Sequence, residues 1–154
     1  MDDFTISRLI HVVAVVAWIG GVAFVTTVVL PWVRRGHPPE QRLAAFHAIE
    51  GRFAPQARVW VAVAGLSGLW MTWRADLWGR FADARFWWMH AMVCLWLVFA
   101  AMLYVAEPLV LHRRMQASRS PERDFKRMVA MHRVLLAAAL LTVIGAVGGS
   151  HGLF

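Results

Sequence analysis

The sequence predicts an all-α integral membrane protein, a four-helix bundle made of two pseudo-repeated hairpins. Three observations carry this prediction. The chain of 154 residues is 60% hydrophobic and only 16% charged, against about a quarter charged in a soluble domain. The apolar residues are collected into four long runs separated by short arginine-rich stretches. The two halves also share a pattern: a histidine near the start of one run, then a proline, then an arginine pair. A chain of this length fits one domain over residues 1–154.

Crossing the hydrocarbon layer takes about 20 mainly apolar residues in a helix. The first span, about 9–33, contains no charged residue, and neither does the third, about 86–106. The second, about 53–73, carries Arg58 one turn in, which is expected to snorkel or to meet a buried acceptor such as Glu107. The fourth, about 128–153, has His132 and Arg133 near its start. Lipid offers no water to unpaired backbone groups, so each run must be helical. The start Met1-Asp2-Asp3 is acidic, and the first run is longer than a signal h-region, so it is read as a span rather than a cleavable leader.

Between the first two runs, Leu43, Phe46, Ile49 and Phe53 are spaced for one helical face. The segment 40–53 is therefore either an interfacial helix lying on the membrane or an extension of the second span. Trp70, Trp73, Trp78, Trp87 and Trp88 flank the second connection, as an aromatic belt does. The first connection and its flanks carry Arg34, Arg35, Arg42, Arg52 and Arg58, and the third carries Arg113, Arg114, Arg119, Arg123, Lys126 and Arg127. The second has only Arg74, Arg80 and Arg85. The positive-inside rule puts connections one and three in the cytoplasm and both termini outside, in the periplasm of an inner membrane. The net charge of +7 thus belongs to the headgroups, which argues against nucleic acid as a partner.

The repeat aligns His11, Pro31 and Arg34-Arg35 with His90, Pro108 and Arg113-Arg114. It also aligns Arg58-Val59 and the pair Gly65 and Gly68 with Arg133-Val134 and the pair Gly145 and Gly148. A parallel repeat has its axis along the membrane normal, which brings His11 and His90 to one depth. An ionisable side chain in a span is a functional candidate, and imidazole is a common ligand of haem iron and of copper. The expected site is haem b between His11 and His90, with Ala14, Gly20 and Gly21 making room and Trp18, on the face of His11, packing on the macrocycle edge. No CxxCH motif is present, and the single Cys94 allows no internal disulfide. His151 is either a third group at this outer site or a solvated terminus. His132 with His112 forms a candidate second site at the other end. Met89, Met92, Met102 and Cys94 leave copper handling as the alternative. The paired glycines are expected to let helices approach closely. Expected partners are the bilayer and a quinone or a second redox protein, with a homo-oligomer left open.

The stretch Ser7-Arg8-Leu9-Ile10-His11-Val12-Val13-Ala14-Val15-Val16-Ala17-Trp18-Ile19-Gly20-Gly21 resembles the opening helix of the HemJ-type protoporphyrinogen oxidases. It is similar also to the CopD-type membrane domain. Trp87-Trp88-Met89-His90 resembles the start of a later helix of the HemJ type. The resemblance implies b-type haem ligated by His11 and His90, and an oxidoreductase acting on a porphyrinogen. The CopD likeness implies copper uptake instead. The HemJ type carries a lysine shortly after its second histidine. This chain reads Ala91-Met92 there, and its only lysine is Lys126. That departure separates the porphyrinogen reaction from the haem.

Overall fold

The computed structural model describes residues 2–111 and 120–153, with the backbone alone for 108–111. The described residues are all helical or in short turns. Helix α1 runs Asp3–Gly36, helix α2 Arg42–Arg74, helix α3 Trp87–Ala100 and helix α4 Pro121–Ser150. Two 3₁₀ turns, Leu77–Ala82 and Ala84–Phe86, join α2 to α3.

Three helical stretches, Asp3–Gly36, Ala84–Glu107 and Pro121–Ser150, are long and apolar enough to cross a membrane. Helix α2 is as long, 33 residues, but it carries Arg42, Glu50, Arg52 and Arg58. It is unbroken from Arg42, so 40–53 is not a separate interfacial helix. The apolar face that suggested a surface helix packs inward instead. Phe46 is fully buried against Val25, Val29, Leu30, Val33 and Phe125.

Each helix buries a stripe. On α1 it is Ala14, Trp18, Val22, Val25, Val29 and Val33, spaced three and four apart. Proline cannot donate to the helical ladder, and α1 meets Pro31 with a π-turn over Val25–Val29, in which the Leu30 N–H reaches back to the Val25 carbonyl. Thr26 and Thr27 tie their hydroxyls to the carbonyls of Val22 and Ala23, each at 2.7 Å. A second π-helical run, Ala101–Leu111, continues α3. The backbone stays helical through Leu111, past Glu107-Pro108 and beyond the span expected to end near 106.

Helix α1 packs chiefly on α2, and α3 chiefly on α4, so each hairpin closes on itself. The two hairpins meet where α2 packs on α3 and α4 and where α1 packs on α4, leaving α1 and α3 opposite each other. Their contact is aromatic: Trp18 meets Phe99 edge-on, with ring centroids 4.9 Å apart. One end of the bundle holds the N-terminus, the α2–α3 connection and the C-terminus. Arg74 pairs with Asp3 at 2.9 Å, and the Trp88 ring lies against Gly149. The opposite, arginine-rich end holds the Phe46 and Phe125 cluster.

The glycines work differently from a backbone-to-backbone seam. Gly21 receives the ring of Phe53, Gly65 that of Trp96, Gly68 that of His11, Gly145 that of Trp87 and Gly149 that of Trp88. Each is a notch for an aromatic or imidazole ring from a neighbouring helix. Trp96 also donates its indole N–H to the Val61 carbonyl at 2.8 Å. Arg58 finds the acceptors expected of it: Nε donates to the Leu103 carbonyl at 2.9 Å, and a terminal nitrogen lies 3.2 Å from Glu107.

Candidate functional site

A backbone carbonyl can only accept a hydrogen bond, so a ring nitrogen beside one must carry the proton, and this fixes the histidine tautomers. His11 projects from α1 into α2, and its Nδ1 lies 2.9 Å from the Ala64 carbonyl and 3.1 Å from Ser67 Oγ. Nδ1 is therefore protonated, and Nε2 carries the lone pair. The Ser67 hydroxyl is itself turned to the Val63 carbonyl at 2.6 Å. Gly68 makes the room: a β-carbon there would sit 3.1 Å from His11 Cε1. A histidine that gives Nδ1–H to a carbonyl and keeps Nε2 free has the orientation metal-ligating histidines use.

His90 is placed otherwise. It is exposed, its Nε2 donates to the Phe81 carbonyl at 3.0 Å, and its ring packs edge-on to Phe81. The cause is helical phase. Trp88 is buried and turned to Gly149 on α4, and two residues on, at about 100° per residue, the side chain points to the other side. The larger apolar ring of Trp88 takes the inward position on the neighbouring helix. His11 and His90 thus lie toward the same end of the bundle, but the structure does not bring them together.

Haem, the group the family resemblance implies, fits these residues in part. His11 meets the requirement of one axial ligand. His90 as oriented offers its proton-bearing nitrogen to a carbonyl and does not complete a pair. Trp18 packs on Phe99 and lines a cavity of about 70 Å³ together with Phe46, Glu50, Phe53 and His132. That volume lies well below the several hundred Å³ of a usual cofactor pocket, about 300–1,000 Å³, so this cavity does not seat the macrocycle. Gly21, expected to make room for a cofactor, holds the Phe53 ring instead.

His132 gives its Nδ1–H to the Met128 carbonyl at 3.0 Å and packs edge-on to Phe46. Its proposed companion His112 lies outside the described residues. His151 is exposed and bonded to the Val147 carbonyl at 2.8 Å, one turn back on its own helix. His37 lies in the loop after α1, edge-on to Trp32. Among the described residues, no three or more His, Cys, Asp or Glu side chains gather in a metal-binding group. Met89 is buried while Cys94 is exposed, so the soft ligands named for copper do not share one surface.

Sequence reasoning missed Ser67 and the pair His47 and Glu50, in which Nδ1 lies 2.8 Å from a carboxylate oxygen. Glu50 falls on the Phe46, Ala54 and Ala57 stripe of α2. Its four-residue spacing from Phe46 and Ala54 is the signal that could have found it.

Comparison with known proteins finds no matching family model, no similar characterised protein and no similar solved structure. The likeness to HemJ-type and CopD-type proteins rests on the motifs around His11 and His90 alone.

Proposed function

We propose that this chain is a multi-pass protein of the cell membrane that crosses four times, with both termini outside, and that it serves electron transfer through a b-type haem for which His11 is the protein ligand. The observation that carries the haem reading is the fixed tautomer of His11 inside an apolar helix: Nδ1–H is given to the Ala64 carbonyl, which leaves the lone pair on Nε2. Bound haem supplies one-electron exchange between its ferrous and ferric states. The chain's own part is to hold the ligand ring through Ala64, Ser67 and the notch at Gly68. Bis-histidine ligation requires in addition that His90 give up its bond to the Phe81 carbonyl. A quinone or a second redox protein is the electron partner in this reading.

The fourth crossing is α2. Its outward residues Val59, Leu66 and Leu69 are more than half exposed, like Val16 on α1 and Leu141 and Ile144 on α4. A monomer seldom turns so continuous an apolar surface to water. Both ends of the chain emerge at one end of the bundle, which an even number of crossings requires. At that end Arg74 and Arg85 pair with Asp3 and Asp83, and Arg80 lies over the Phe86 ring. Arg34 and Arg35, which have no ion pair among the described residues, stand at the other end, the cytoplasmic one in this orientation. An epitope tag on either terminus is expected to be reached from outside intact spheroplasts. A tag reached only after lysis reverses the orientation.

The experiment for the haem is a visible spectrum of detergent-solubilised protein from haem-replete cells, with metal analysis beside it. A b-type spectrum after dithionite with about one iron per chain is expected. A colourless protein holding stoichiometric copper favours the CopD-type reading, and one holding neither metal overturns both.

A further inference from the structure

One cavity of the bundle joins three polar groups in an otherwise apolar lining. It lies between α1, α2, α3 and α4 on the arginine-rich side of Trp18, walled by Val22, Val25, Val29, Phe46 and Phe53. The first polar group is the indole of Trp18. The side chain is 5% exposed, and its Nε1–H has no hydrogen-bond partner among the described residues. An unmet buried donor costs about 1–3 kcal/mol, so a group that lines a cavity with such a donor calls for an acceptor inside it. The second is His132, whose Nδ1–H is spent on the Met128 carbonyl. Its Nε2 therefore carries a lone pair in a ring that borders the cavity. The third is Glu50, which also borders the cavity and holds His47 with one oxygen.

Size selects the occupant. A dry cavity of about 150 Å³ takes benzene, and a single water needs about 10–15 Å³. At about 70 Å³ the cavity is too small for a ring compound and large enough for several waters. Water also matches the chemistry, since one molecule accepts from an indole N–H while donating to an imidazole nitrogen or a carboxylate. A surface groove lined by Ala48, Ile49, Arg52, Phe53 and Gln56 shares Ile49 and Phe53 with the cavity. The side chain of Glu50 is 26% exposed and lines the cavity, so the residue borders both the outside and the interior.

We propose that this cavity is a water-binding inlet that leads from the arginine-rich end of the bundle past Glu50 to the indole N–H of Trp18 at its centre. His132 forms its second polar wall, and Phe46 and Phe53 keep lipid out. The inlet stands independently of the haem reading, because it uses neither His11 nor His90.

Water-edited solid-state NMR on proteoliposomes of the full chain, labelled with ¹⁵N-tryptophan, tests it. The Trp18 signal is assigned by its loss in Trp18→Phe, which removes the N–H and keeps the aromatic body. Water magnetisation is expected to reach the Trp18 indole N–H within milliseconds, at least tenfold faster than the N–H of Trp96, which is closed on the Val61 carbonyl. Glu50→Leu, which puts an apolar side chain at the entrance, is expected to slow the transfer to Trp18 about tenfold and leave Trp96 unchanged. Transfer to Trp18 no faster than to Trp96, or transfer from lipid chains in its place, overturns the inlet. Unchanged transfer in Glu50→Leu overturns the route.

Discussion

His11→Ala is expected to strip the protein of its haem, with loss of more than nine-tenths of the b-type absorbance per chain at unchanged expression. The expectation follows from the tautomer. Nδ1–H is spent on the Ala64 carbonyl, so Nε2 is the one ring nitrogen left to bind iron, and alanine removes it. Ser67→Ala is a milder change, because the ring keeps its bond to Ala64. The lost contact at 3.1 Å acts only on the orientation of the ring, and such supporting contacts are worth about 10–100-fold in affinity. His90→Ala is expected to retain most of the haem, since His90 is exposed and engaged with Phe81. Reduced-minus-oxidised spectra of the three variants, with iron measured against protein, decide the matter. Full retention in His11→Ala removes His11 as ligand. Equal loss in His11→Ala and His90→Ala restores the bis-histidine pair.

The sequence made some of this legible and hid the rest, for reasons that lie in particular residues. The stripe from Ala14 through Trp18 and Val22 to Val29 and Val33 follows from helical spacing alone, and those residues are the buried face of α1. Arg58 was marked by being a charge in an apolar run, and it meets Leu103 and Glu107. Of the two readings open for 40–53, the extension of the second span is the one the continuous helix matches. The charges of Glu50 and Arg52 interrupt the apolar run but not the helix, because helical hydrogen bonds are indifferent to which side chains face out. His90 was misplaced because depth and facing are separate quantities. The repeat fixed its depth beside His11, but its azimuth was set by the competition of Trp87 and Trp88 for the notches at Gly145 and Gly149. A large ring buries more apolar area than an imidazole, and the helix turns accordingly. Trp18 was expected on the edge of a macrocycle, whereas its ring packs on Phe99 from across the bundle, a pairing that no spacing within one chain segment announces.

Those notches give the sharpest test of how the bundle is held. Gly65→Ala is expected to destabilise the fold by about 1–3 kcal/mol, the usual cost of overpacking a filled core. A β-carbon on Gly65 would come 2.5 Å from Trp96 Nε1, closer than such carbons approach other atoms, and the indole cannot retreat without releasing the Val61 carbonyl. Gly20→Ala is the control. Nothing lies within 4 Å of a β-carbon there, and alanine is the better helix former by about 1 kcal/mol, so that variant is expected to match or exceed the wild type. The comparison separates two accounts of the glycines. If they served close backbone approach alone, Gly20 and Gly65 would be equally intolerant, and replacing Trp96 would not help. If they are notches for rings, the double variant Gly65→Ala/Trp96→Leu recovers part of what Gly65→Ala loses, because the smaller side chain vacates the space the new methyl takes. Thermal unfolding in one detergent, followed by helical circular dichroism, reads all four proteins. A Gly65→Ala melting temperature equal to that of the wild type, or no recovery in the double variant, shows that the Trp96 ring is not seated as the structure has it.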